Sequence, residues 1–136
     1  MSKLTSLLAG LFFAGTATAA TAVDYTAMRQ DARVHDELLG ASIAYLIDEN
    51  CQDLKLRKFR LFNKAMALQS YARGLGYSFR EITAYVDSKI EQDRFRAIAE
   101  PMLAEMGARK GNEDSYCAAG RAEMEKGSFA GKLLTD

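Results

Sequence analysis

The chain has 136 residues, and its 18 lysines and arginines balance its 18 aspartates and glutamates to a formal net charge of zero. That length suits one hydrophobic core rather than two. The neutral balance argues against general nucleic-acid binding, which shows a strong basic excess.

The first 22 residues read as a cleaved secretory signal peptide. Lys3 is the only charge before Asp24, and Leu4–Ala14 is an apolar stretch holding Leu7, Leu8, Leu11, Phe12 and Phe13. Small residues follow, with two A-x-A sites at Ala17-Thr18-Ala19 and Ala20-Thr21-Ala22 that suit signal peptidase. A spanning helix needs about 20 apolar residues, and this core has roughly half that. No Arg-Arg pair precedes it, which favours the general secretory route. No cysteine follows the signal, so a lipid anchor on an N-terminal cysteine is excluded. The expected location is the periplasm. Loss of Lys3 takes the basic count from 18 to 17 against 18 acidic residues, so the mature protein stays near neutral.

Residues 23–136 then read as a single all-α domain of about four helices. Ala, Leu, Met, Glu, Lys and Arg are plentiful, there is one proline, and no useful run alternates apolar and polar residues. Residues 23–33 show little pattern and are expected to form a flexible arm. A first helix is expected over Val34–Asn50, with Leu39, Ile43, Leu46, Ile47 and Asn50 recurring at spacings of three and four beside Leu38. Cys51 stands one turn beyond Ile47, near the core side. A polar connection, Gln52–Leu56, leads to a second helix at Arg57–Leu75, whose buried face is expected to be Phe62, Ala65, Leu68 or Gln69, Ala72 and Leu75.

Gly74 and Gly76 suit a left-handed helix C-cap. Ser78-Phe79-Arg80-Glu81 is a capping box, and Tyr77 can pack on Ile82 as a hydrophobic staple. A third helix is expected to continue to Met106, with Ile82, Tyr85, Val86, Ile90, Ile98, Met102 and Met106 inward. Pro101 lacks an amide donor and predicts a kink or break near Ala97–Glu100. Gly107 ends that helix, and Ala108–Gly111 forms a loop. Asn112 or Asp114 caps a fourth helix to Lys126, closed by Gly127, with Tyr116, Cys117, Gly120 and Met124 on one face. Gly120 suits a close helix approach. The tail, residues 128–136, holds Phe129, Leu133 and Leu134, which are placed to fold back as a last turn.

The only cysteines are Cys51 and Cys117. In an oxidising compartment they allow one intramolecular pairing. A bond between them closes a loop of about 66 residues, which the chain-entropy argument values at about 4 kcal/mol. The competing readings are two free buried thiols and a shared metal site. The metal reading lacks a second ligand pair, and the one histidine, His35, is far from both cysteines in sequence. The disulfide is the expected outcome.

No catalytic or cofactor motif stands out. Gly40-Ala41-Ser42-Ile43-Ala44 breaks the nucleophile elbow at its last glycine. Gly74-Leu75-Gly76 lies at a helix end rather than after a strand, so it is no phosphate loop. The C-x-x-C-H of cytochrome attachment is absent. The acid pairs Asp36-Glu37 and Glu113-Asp114 sit near helix starts, where the dipole favours them. The chain is expected to be no enzyme and to carry no cofactor and no metal.

Two features suit binding. Lys55, Arg57, Lys58, Arg60 and Lys64 crowd the start of the second helix, the end where the dipole disfavours positive charge. Such a cluster serves either as a solvated face with ion pairs to Asp53 or Glu49, or as a site for anionic lipid headgroups or an acidic protein. The C-terminal set of Tyr116, Met124, Phe129, Leu133 and Leu134 is either core or, if the tail is loose, an apolar docking segment.

The stretch Asp114-Ser115-Tyr116-Cys117-Ala118-Ala119-Gly120-Arg121-Ala122-Glu123, followed by Gly127-Ser128, resembles the C-terminal signature of a domain-of-unknown-function family. Its members are small exported helical proteins of alphaproteobacteria, of Rhodobacterales type. Ala72-Arg73-Gly74-Leu75-Gly76-Tyr77-Ser78, with Glu81-Ile82 and Ala84-Tyr85-Val86-Asp87, is similar to the middle of that family, and Cys51 falls where its other cysteine lies. The resemblance brings no enzyme activity or catalytic residues. It implies a partner, an inner-membrane respiratory complex such as proton-pumping NADH dehydrogenase, met on its outer face as an accessory subunit. The leading expectation is thus a periplasmic accessory or adaptor protein that docks on a larger envelope assembly, with at most peripheral membrane contact. A free binding module or chaperone-like protein is the alternative, and an enzyme with an unrecognised site is the third reading.

Overall fold

Ala32–Asn50 is the longest helix among the described residues, and most of the other elements lean on it. The computed structural model describes residue 15 and residues 21–136, so the expected signal peptide falls outside the described residues except at positions 15, 21 and 22. In chain order the elements are α1 (Thr26–Gln30), α2 (Ala32–Asn50), β1 (Lys55–Leu56), α3 (Lys58–Arg73), α4 (Phe79–Asp87), α5 (Lys89–Glu105), α6 (Glu113–Lys126), α7 (Phe129–Lys132) and β2 (Leu134–Thr135). The helical class stands, but the described residues form seven helices rather than about four, and residues 23–33 and 128–136 are built into the fold.

α2 packs on α5, α6 and α7 through Ile43, Ala44, Leu46 and Ile47, all buried in the main core with Leu54, Leu103, Leu133 and Leu134. The disulfide joins Cys51, the C-cap of α2, to Cys117 in α6. Both cysteines are buried in that core. Gly120 lies one turn beyond Cys117, and a Cβ there would sit 2.8 Å from Ile47 Cγ2. The absent side chain is what lets α6 close against α2.

The expected arm, residues 23–33, is an ordered part of the domain. Met28 of α1 is 1% exposed, in a second core with Val34, Leu68, Ala72, Ile82 and Tyr85. Tyr25 stacks on Tyr77 at 5.7 Å and donates its hydroxyl to the Glu81 carbonyl. Asp31 accepts from the Val34 amide at 2.9 Å as the N-cap of α2 and from the Tyr71 hydroxyl at 2.8 Å. Those two bonds hold the Asp31 carboxyl below its ordinary pKa, the amide contributing more. A five-residue helix has too few turns to show a period, so its anchors lie in single contacts to distant residues.

The expected third helix is two helices. Ser88, in extended backbone, separates α4 from α5, whereas Pro101 lies inside α5 without ending it. The break resets the helical phase. Ile82 and Tyr85 are buried as expected, but Val86 and Ile90 are exposed, and α5 buries Glu91, Phe95, Ala99 and Leu103 at strict four-residue steps. Ile98, Met102 and Met106 are half-buried. The capping box at Ser78 forms as the sequence requires, with the Ser78 amide donating to Glu81 Oε2 at 2.7 Å and the Glu81 amide to Ser78 Oγ at 3.2 Å. Gly76 takes the left-handed backbone at φ 99°, while Gly74 stays right-handed.

The tail folds back. α7 packs on α6 and α2, and β2 pairs antiparallel with β1, placing Lys55 opposite Thr135 and Leu56 opposite Leu134. Two residues per strand are too few to show alternation in the sequence.

Glu91 is the most buried charge of the described chain. Arg29 of α1 donates to it through Nε at 2.8 Å and through a second guanidinium nitrogen, and Arg94 Nε donates at 2.8 Å. Arg94 also donates to the Tyr85 hydroxyl at 3.0 Å. Burial raises the Glu91 pKa, but the hydrogen bonds from the two guanidiniums outweigh it and leave the pKa below its ordinary value. A lowered carboxylate pKa gives stability that is complete above the ordinary value and is lost as pH falls through the lowered one. Glu91→Gln is therefore expected to cost about 2 kcal/mol at pH 7 and to flatten the acid limb of the stability curve. Urea midpoints of parent and variant measured from pH 7 to pH 3 should converge toward the acid end; parallel curves would count against the network.

Candidate functional site

The five basic residues at the start of α3 are all exposed, and three of them also touch the folded-back tail. Arg57 donates its amide to the Leu133 carbonyl at 2.7 Å and its Nε to the Leu134 carbonyl at 2.8 Å. Arg60 donates to the Lys132 carbonyl at 3.0 Å, and Lys64 lies 5.7 Å from the centre of the Phe129 ring. Arg57 and Arg60 thus reach carbonyls at and just beyond the C-terminal end of α7, which carry partial negative charge, whereas Lys64 lies at its N-terminal end. The charge of Arg57 and Arg60, which α3's own N-terminus disfavours, is thereby offset by tail carbonyls. Lys55 lies 3.6 Å from Asp48, not Asp53 or Glu49, and Lys58 makes no ion pair among the described residues. Lys58, exposed like the other four, alone has neither an ion pair nor a contact to the tail among the described residues.

Phe62 and Ala65, expected in the core, are exposed. The phase of α3 is set by Leu61, Leu68, Ala72 and Leu75 on the inner side, one residue, or about 100°, away from Phe62. Phe59 is 79% exposed, Phe62 60% and Met66 46%. They recur at spacings of three and four, so they form one apolar stripe facing water. The segment from Leu54 to Arg80 that carries this stripe has seven basic residues and no acidic one. Sequence reasoning saw the basic residues and missed the stripe. The absence of any carboxylate over that run was the available signal.

Beside α3 lies an open groove of about 840 Å³ between α2, α4 and α5. Leu38, Ala41, Tyr45, Leu46, Leu61 and Val86 give it an apolar lining. The charged groups around it are paired with one another: Arg96 with Glu49 at 3.2 Å, Lys89 with Asp93, and Glu91 with Arg29 and Arg94. His35 packs on Phe95, with ring centres 5.6 Å apart. Among the described residues no group of three His, Cys, Asp or Glu is placed to hold a metal ion. No described helix is long and apolar enough to cross a membrane.

The second expected binding feature, Tyr116, Met124, Phe129, Leu133 and Leu134, is core. Leu133 and Leu134 are buried, and the other three are half-buried against the same cluster.

Residues 26–135 match the model of DUF5333, a family of unknown function. The chain belongs to that family. No curated protein and no solved structure matches it. The match runs from the first residue of α1 to the last residue of β2. The DUF5333 unit therefore takes in the ordered N-terminal segment, the disulfide, the acid-free run through α3 and the folded-back tail.

Proposed function

We propose that this DUF5333 chain is an exported, non-catalytic accessory or adaptor protein that docks on a larger assembly of the cell envelope. The observation that carries the reading is the exposed apolar stripe of Phe59, Phe62 and Met66, in register on one face of α3. Three large apolar side chains on one solvent-facing helix stripe mark an interaction surface rather than a scatter of single residues. The buried Cys51–Cys117 disulfide is compatible with an oxidising compartment, and the signal-like N-terminus supplies the route to the periplasm. An inner-membrane respiratory complex such as NADH dehydrogenase is the partner the family resemblance suggests. The apolar groove favours a second reading, a free periplasmic binding module or chaperone-like protein.

Fractionation of the native host decides between them. The docking reading expects the chain to sediment with membranes after mild lysis, to crosslink to a defined envelope protein, and to move to the soluble fraction on Phe59→Ser with Phe62→Ser. A chain recovered wholly as a free monomer would reject docking and favour the binding module.

A further inference from the structure

We infer that the outer face of α3 is a membrane-surface contact that takes an anionic phospholipid bilayer. The inference deepens the docking reading and rests on it for the compartment, but the contact itself needs no protein partner. Phe59, Phe62 and Met66 project from the exposed face of α3 and span about two turns, roughly 10 Å along the axis. A helix with such a stripe beside basic residues lies in the plane of the interface, its apolar side chains among the acyl chains and its lysines at the headgroups. Lys58 is free of ion pairs among the described residues, and Lys55 is only loosely paired with Asp48 at 3.6 Å. Both stand at the same end of α3 as the stripe.

Charge sets the occupant. From Leu54 to Arg80 the chain has seven basic residues and no acidic one, whereas the remainder has 11 basic and 18 acidic. The net-neutral chain is thus electrically lopsided, so an anionic surface attracts the α3 segment and repels the rest. An acidic protein would supply the same attraction. Phe59, Phe62 and Met66 line none of the described pockets, the groove beside α3 included. Such a stripe fits a fluid surface better than a partner's side chains, which need pockets to bury against. The contact would fix the orientation of the domain on the membrane without a spanning segment.

The test uses residues 23–136, which hold every helix and strand of the described fold. Co-sedimentation is measured with vesicles of phosphatidylglycerol and phosphatidylcholine and with vesicles of phosphatidylcholine alone. Binding to the anionic vesicles at least tenfold tighter, released by about 1 M salt, is expected. Lys55→Gln with Lys58→Gln should weaken it by about fivefold per lysine removed. Phe59→Ser with Phe62→Ser should abolish it, with an unchanged melting temperature because both side chains are exposed. Equal binding to the two vesicle types, no binding to either, or full binding by the Phe pair would overturn the inference. Capture by poly-glutamate beads without capture by anionic vesicles would also overturn it, in favour of an acidic protein. A chain that sediments with native membranes yet ignores protein-free vesicles loses the lipid contact and keeps the docking reading; one that is free in both loses both.

Discussion

Replacing Cys51 and Cys117 together by alanine should lower the stability of the domain by about 4 kcal/mol, a large share of the 5–15 kcal/mol or so that holds a typical domain folded. The bond links residues separated by 66 positions, and the loop it closes contains β1, α3, α4 and α5. Reduced and unfolded, that loop regains the freedom the crosslink removes, so the unfolded state gains more than the folded state loses. Alanine is the right replacement because both sites are buried, and a serine hydroxyl there would add the cost of an unpaired polar group. Urea unfolding of the oxidised parent, the reduced parent and the alanine pair gives the comparison. The reduced parent and the pair should unfold at similar, lower midpoints. Equal midpoints for all three would show that the main core holds α2 and α6 together without the bond.

Why the bond matters here follows from how α3 is held. Its C-terminal half rests on the second core through Leu68 and Ala72, while its N-terminal half is held mainly by Leu61, Arg57 and Arg60. The disulfide pins the chain just ahead of β1, so the strand pair and the start of α3 are tethered at a fixed point. The exposed Phe59–Phe62–Met66 stripe is therefore presented by a helix that packs lightly but cannot drift.

The sequence was legible wherever a local rule dominated. The α2 stripe through Ile43, Leu46 and Ile47, the Ser78 capping box, and the Asn112 and Gly127 ends of α6 are satisfied within a few residues of themselves, and each forms as read. The cysteine pairing was legible because two thiols allow one intramolecular bond. Illegible features depend on distant partners. α1 is secured by Glu91 and by Tyr77, each more than 50 residues away. Ser88 breaks the helix in extended backbone, and the break turns Ile90 outward and Glu91 inward, which no local signal in the sequence announces. Of the candidate site, the five basic residues were visible, but the bonds that Arg57 and Arg60 make to tail carbonyls were not. Phe62 was placed in the core because a large apolar residue at helical spacing usually is; the phase set by Leu61 and Leu68 turns it outward instead.

The second large effect is expected at Gly131. A methyl group there would overlap the Glu123 carbonyl and come within 2.6 Å of the Met124 nitrogen, both fixed backbone atoms of α6. The corner between α6 and α7 is built around that carbonyl: it accepts from the Ser128 hydroxyl at 3.2 Å and the Ser128 amide at 3.3 Å, while Ser128 Oγ accepts from the Gly131 amide at 3.0 Å. Gly131→Ala must therefore lift α7, and with it Leu133 and Leu134, which are 0% and 1% exposed. Overpacking of this kind should cost about 3 kcal/mol, with no side chain able to give way. Lys132→Ala, beside it but exposed, should stay within about 0.5 kcal/mol of the parent. Urea midpoints measure the cost, and hydrogen exchange at the Leu133 and Leu134 amides should report where it falls. A Gly131→Ala protein as stable as the Lys132→Ala control would mean that α7 is not held against α6 as described. If α7 does lift, the carbonyls that hold Arg57 and Arg60 leave with it. Arg57 and Arg60, already exposed, would then lose their carbonyl partners, weakening the fold while freeing both guanidiniums for anionic surfaces.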